Sequence, residues 1–482
     1  MKDMIMKLHL LLPTLIPMAF PAMAEDFGVS VDAMLAEKSL TLFGIEAPLA
    51  ASAPASAETG FRTASSLPAD LVALGAGLKA EFLTREAGDS WDMMAFYPAE
   101  NPTHLIGCVE GDVEEIAPGK LNPAVQRVSL ADGKVETIVR GTSSCDGIRT
   151  TPWGTVLFTE EDDVGGAYEM LDPLHISNVV ITDRAVGTTS DMTKVIRRMA
   201  LPTMAWEGIA ILPEGVVYGG DELRPGTDLA NADGGAMFKF IPATPFTGGM
   251  IDSLDASPFA AGKTYAMQVS CLPDKIQFGQ GCETGAATWL EVNPTKARFD
   301  AGAVNATGFY RPEDLQQDAA YTGGGVRFCF ANTGNEGAKN NAEVMCAVDT
   351  TPMIVPVPDA EGKIAFATRI ERFIEGDTDF NSFDNLDFQP GTGNLYVIED
   401  HPNGDIFACL PDGADRDVKS DGCVRMLSVT DSSAEPTGFI FSPDGTKAYL
   451  SIQHSNDDAM VKVDDYGTDD LLVISGFVQV TQ

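Results

Sequence analysis

The chain has 482 residues, 70 of them acidic and 32 basic, giving a formal net charge of −38. Nucleic acid and anionic membrane surfaces are poor partners for so acidic a protein, because both are polyanions. The length would allow several domains, although large all-β folds often use a comparable length as one unit.

Lys2 and Lys7 stand around the start of an apolar run from Leu8 to Phe20, and Pro-Ala-Met-Ala then leads to Glu25. A basic start, a moderate apolar stretch and small residues before a cut are the parts of a secretory signal. Residues 1–24 are therefore expected to be a signal peptide cleaved after Ala24. Pro13 and Pro17 interrupt the run, which is shorter than the roughly 20 apolar residues a membrane span requires. No twin-arginine pair stands in this segment, so a Sec-type route to the periplasm or the exterior is expected. The mature chain is expected to be a monomer that does not insert into a membrane.

Residues 25–68 are rich in Ala and Ser and read as an N-terminal arm with at most one early strand or helix. From residue 69 onward, short runs of β-branched and aromatic residues recur, bounded by Gly, Pro, Asn or Asp. They include THLIGCVEGD from Thr103, GTVLFTEEDD from Gly154, EGVVYGGDE from Glu214 and ATWLEVN from Ala287. GVRFCFAN from Gly325, GNLYVIED from Gly393 and GTKAYLSIQ from Gly445 continue the series. A spacing of roughly 35 to 70 residues suits propeller blades carrying insertions. The fold class expected is all-β, with residues 69–482 forming one β-propeller of six blades; a β-sandwich array is the alternative.

Eight cysteines fit an oxidising compartment. Short-range pairing suggests Cys271 with Cys282, Cys329 with Cys346, and Cys409 with Cys423, which leaves Cys108 and Cys145. No C-x-x-C zinc spacing occurs, nor a G-x-S-x-G elbow or a Walker loop. DGADRDVKSDG from Asp412 lacks EF-hand spacing and reads as a surface loop.

Many strand ends are acidic. The candidates are Glu160, Glu161, Glu207, Asp221, Glu222, Glu313, Asp384, Glu399, Asp400 and Glu435. A lone acid at such a position is usually a turn former or a solvated charge. Repeated from blade to blade, acids would crowd like charges into one channel, which is costly unless cations compensate. An oxygen-rich set favours calcium, with iron, magnesium or manganese behind it.

Four segments then carry a resemblance. TPWGTVLFTEED from Thr151, RPED at Arg311, FDNLDFQPGTGNLYVIED from Phe383 and EPTGFIFSPDGTKAYLSIQH from Glu435 resemble, in order, segments of the PhoX alkaline phosphatase family. The resemblance implies a six-bladed propeller whose channel binds calcium and iron through carboxylates and one cysteine. By position it implies Cys145, Glu160, Glu207, Glu313, Asp384 and Glu435 as metal ligands and Arg311 as the phosphate-binding catalytic residue. The substrate implied is a small-molecule phosphate ester. One departure stands out: where the family carries Asn-His-Glu, with an asparagine that contacts phosphate, this chain reads Cys108-Val109-Glu110. If Cys108 lies near Cys145, as the resemblance implies, the two could form a disulfide, which would remove the thiolate, because a disulfide sulfur is a poor ligand. Two other readings stay open: a calcium-stabilised propeller that binds without catalysing, and a lactone or ester hydrolase on a calcium propeller.

Overall fold

The structure is a computed structural model that describes residues 27–56, 62–226, 234–270, 283–335, 337, 339–356, 367–411 and 422–479. The expected signal peptide, the Cys271–Cys282 pair and the loop from Asp412 lie outside these residues. No helix among the described residues is long and apolar enough to cross a membrane.

The fold is all-β and propeller-like, with sheets of four, four, five, six and nine strands and a small two-stranded one. Six strands lie innermost: β1 (Trp91–Tyr97), β2 (Cys145–Thr150), β3 (Trp206–Ile211), β4 (Pro312–Gln317), β5 (Phe383–Phe388) and β6 (Glu435–Phe441). Each begins an antiparallel meander of four strands. Each inner strand lies beside the next, and β6 lies beside β1, so the six enclose a central channel.

Closure depends on a strand from the other end of the chain. Lys79–Gly88 pairs with Thr468–Ser475, from Lys79 opposite Ser475 to Gly88 opposite Thr468. The early segment thus supplies the outer strand of the sheet of β6 and ties the two ends of the chain together. The nine-stranded sheet arises where Gly285–Val292 pairs with both Gly262–Ser270 and Thr368–Glu375, joining the sheets of β3 and β4.

The cores lie between neighbouring sheets. Met93, Ile106 and Val125 of the first sheet pack with Ile148, Val156 and Phe158 of the second. Ahead of the strands, the helix Phe27–Glu37 and the turn that follows the helix Ser39–Leu42 bury Leu35, Phe43 and Ile45 against Tyr396, Met426, Phe441 and Phe477.

Candidate metal centre

Every inner hairpin carries a register shift. Trp91 faces Val109 but Met94 faces Gly107, so three steps on β1 match two on its partner. The same offset occurs at Cys145–Ile148, Trp206–Ile209, Pro312–Leu315, Phe383–Leu386 and Thr437–Ile440. Such a bulge re-aims the side chains of the residues it inserts. In five of the six hairpins the residue that follows the start of the shift is an acid: Asp92, Asp146, Glu207, Glu313 and Asp384. The sixth has Gly438 there. On the partner strands, the residue after the paired one is Glu110, Glu161, Glu222, Thr333 and Asp400 in the same five hairpins. A local backbone device, repeated around the channel, thus builds one acidic mouth.

Two glycines let the inner strands close up at this level. A Cβ on Gly147 would sit 2.0 Å from the carbonyl oxygen of Glu207, and one on Gly208 would sit 1.7 Å from the amide nitrogen of Leu315. Only a residue without a side chain allows that approach. The result is two trios able to hold a cation, Asp146–Glu161–Glu207 and Glu207–Glu313–Asp384, each with ligand oxygens within 4.8 Å of one another. Glu207 belongs to both.

The electrostatics fit a cation. Burial, followed by the neighbouring carboxylates, pushes Asp146, Glu161, Glu207 and Asp384 well above the usual carboxylate range. Burial raises Glu313 to about 8 in spite of Arg311. It raises Asp92 to about 7, with Glu110 adding to the shift, and Glu435 to about 7. Carboxylates that must hold protons at neutral pH are groups lacking a counter-charge, and a bound cation supplies one. All six positions of the two trios are oxygen donors, which fits a hard cation such as calcium.

The sign of the pH dependence follows. Between about pH 4 and pH 8 the metal-free folded chain keeps protons that the unfolded chain has lost, so its stability falls as pH rises. His454, raised to about 9 chiefly by its hydrogen bond to Glu435, acts in the same direction. Melting temperature in chelator is therefore expected to rise as pH is lowered from about 8 to about 5, and calcium, which must displace the protons, to bind more tightly at the upper end. A chelated protein that melts higher at pH 8 would contradict this account.

The residues expected from the sequence separate. Glu207, Glu313 and Asp384 converge in the trios. Cys145 does not offer a thiolate: it is disulfide-bonded to Cys108, and its neighbour Asp146 takes the channel position. Glu160 is turned away from the trio that Glu161 joins. Its carboxylate accepts the backbone N–H groups of Ser143 and Gly166 at 3.2 and 3.1 Å and the Arg184 Nε–H at 2.6 Å. Asp221 and Glu399 play similar structural parts, accepting from the amides of Ala205 and Asn381 at 3.1 and 2.9 Å. Glu435 lies outside both trios, 3.3 Å from His454 Nε2.

Arg311 stands at the entrance to β4 with a φ of 58°. Its guanidinium bonds Glu222 and lies 3.2 Å from Glu313 and 3.7 Å from Asp400. Further along β2, Arg149 reaches past β3 to Asp314 of β4 at 2.8 Å. Asp92 and Asp146 were not evident as candidates from the sequence. Their signal is positional: each directly follows the first residue of an inner strand, whereas the conspicuous acidic endings belong to the strands after them. Cys329–Cys346 and Cys409–Cys423 are disulfides within single hairpins, as their spacing suggests.

No curated protein sequence matches the chain. Among solved structures, Pseudomonas fluorescens PhoX in complex with vanadate, a transition state analogue, aligns with a TM-score of 0.59 at 15% identity, covering 90% of this chain and 98% of that one. At that identity the likeness speaks for the fold. The PQQ-bound aldose sugar dehydrogenase of Streptomyces coelicolor aligns more loosely, with a TM-score of 0.40 at 12% identity over 84% of this chain and 99% of that one. The family model described as alkaline phosphatase PhoX matches residues 117–456, a span that takes in both carboxylate trios and Arg311. On that match the chain belongs to the alkaline phosphatase PhoX family.

Proposed function

We propose that this protein is an exported, calcium-dependent phosphoric ester hydrolase whose residues 69–482 form one six-bladed propeller around the acidic mouth. The observation that carries this reading is the pair of carboxylate trios sharing Glu207, with the Arg311 guanidinium 3.2 Å from Glu313 at their edge. Asp146, Glu161, Glu207, Glu313 and Asp384 would hold the metal. Bound divalent cations there would offset the charge of a phosphate ester and lower the pKa of coordinated water. The absence of a free thiolate at Cys145 favours calcium over iron as the resident ion.

The chain's own contribution is positioning. Arg311 presents a planar fork suited to two phosphate oxygens. Glu222, Glu313 and Asp400 hold that fork in the mouth before substrate arrives. Glu313 is steadied in turn by the Thr333 hydroxyl, which donates to its Oε1. The arginine is thus set beside the carboxylates rather than free on the surface, and less side-chain entropy is lost on binding.

The test is hydrolysis of p-nitrophenyl phosphate by the calcium-loaded protein. Arg311→Ala is expected to lower turnover by about 100- to 1000-fold, the usual loss when one preorganised donor to a developing charge is removed. Calcium binding should persist in that variant. Failure of the loaded wild type to hydrolyse any phosphomonoester or diester would end the proposal. A second reading has its own support: Cys108, which by the resemblance stands where the family carries a phosphate-contacting asparagine, is bonded to Cys145. On that reading the propeller binds calcium as a non-catalytic module, and calcium raises its melting temperature without turnover.

A further inference from the structure

The described disulfides are of two kinds. Cys329–Cys346 and Cys409–Cys423 join residues directly opposite one another in antiparallel pairs. The ladder already holds those partners together. Cys108–Cys145 is different, because it links His104–Val109, of the sheet that begins with β1, to β2 of the next sheet. These two strands share no ladder. The bond is fully buried at both sulfurs.

Its neighbours in sequence are acids of the mouth. Cys145 immediately precedes Asp146, a member of the first trio, and Cys108 lies two residues before Glu110. A single backbone hydrogen bond, Ser144 N–H to the Gly111 oxygen at 3.1 Å, joins the same two segments. We propose that the Cys108–Cys145 disulfide is a positioning element for the metal centre, locking the first sheet to the second so that Asp146 keeps its place in the Asp146–Glu161–Glu207 trio.

The inference rests on the reading of those trios as a metal site. Its physical basis is the covalent tie. The strands that carry Cys108 and Cys145 belong to separate ladders, so side-chain packing, the one backbone hydrogen bond and the disulfide set the position of β2, and with it Asp146, against the first sheet. The link keeps the donors gathered before the ion arrives, so less ordering remains to be done on binding. The sheets also share the apolar core of Met93, Ile106, Ile148 and Phe158. Loss of the disulfide is therefore expected to spare the fold and loosen the mouth.

The experiment compares two double variants of the full chain, Cys108→Ala/Cys145→Ala and Cys409→Ala/Cys423→Ala, with wild type. Calcium affinity is read by calorimetric titration and stability by urea unfolding in chelator. The first variant is expected to lose tenfold or more in calcium affinity, about the effect of removing a support of a metal ligand. The second is expected to lose stability while binding calcium within about twofold of wild type, since its bond constrains only the unfolded chain. Wild-type affinity in the first variant overturns the proposal, and so does an equal loss of affinity in both. A wild type that binds no calcium overturns the metal-site reading as well, which separates the two failures.

Discussion

Glu207→Gln is expected to abolish tight calcium binding while making the metal-free protein more stable. Glu207 is the residue shared by the two trios, so its loss removes an anionic donor from both at once. The amide keeps the shape and one neutral oxygen but not the charge. A loss of calcium affinity of about 100-fold or more is expected, at or beyond the upper end of the 10- to 100-fold typical for a supporting residue around a metal. Hydrolysis of p-nitrophenyl phosphate should fall in step.

Stability should move the other way. Glu207 is 4% exposed, and burial, with Asp146 and Glu313 next, lifts its carboxyl well above the usual range. Without a cation that group is a burden on the fold, and a neutral side chain of the same size relieves it. The signature is thus a crossed one: higher melting temperature in chelator, and little or no further rise on adding calcium. A variant that loses stability both with and without calcium would mean that Glu207 is a structural acid like Glu160.

The second large effect concerns an acid that is structural. Asp221 and Arg298 are both essentially excluded from water and paired at 2.6 Å. Arg298 reaches in from the short helix Ala297–Ala303 and also bonds the backbone oxygen of Glu222 at 3.3 Å, directly behind the mouth. Burial already raises Asp221 to about 6, with Arg298 opposing the shift. Arg298→Met leaves that carboxyl without its partner and is expected to cost about 3–5 kcal/mol in urea unfolding. Adding Asp221→Asn should restore part of the loss, because the penalty lies in the unpaired charge. A single variant within 1 kcal/mol of wild type, or a double variant worse than the single, would show that the pair carries no such weight.

The two acids Glu160 and Glu161 show where sequence reading reaches its limit. Both end the same strand-like run and both look equally suited to the channel. Along a strand, neighbouring side chains point to opposite faces, so a shift of one residue exchanges the two roles. The structure directs Glu161 to the trio and Glu160 to the amides of Ser143 and Gly166 and to Arg184. Cys145 and Asp146 form the same kind of pair: one sulfur between sheets, one carboxylate in the mouth.

The sequence by itself determined the all-β character, through short runs of β-branched and aromatic residues cut by Gly, Pro, Asn and Asp. It also determined that acids recur at strand ends, and family membership was legible in TPWGTVLFTEED, RPED and two further segments. These are local patterns, readable without knowing which strand pairs with which. Only the tertiary structure decided which acids meet. That choice depends on a register shift at the start of five inner hairpins, on closure of the last sheet by Lys79–Gly88, and on the approach of β2, β3 and β4 permitted at Gly147 and Gly208. Each is a relation between segments far apart in the chain, and the charge that gathers at the mouth is their sum.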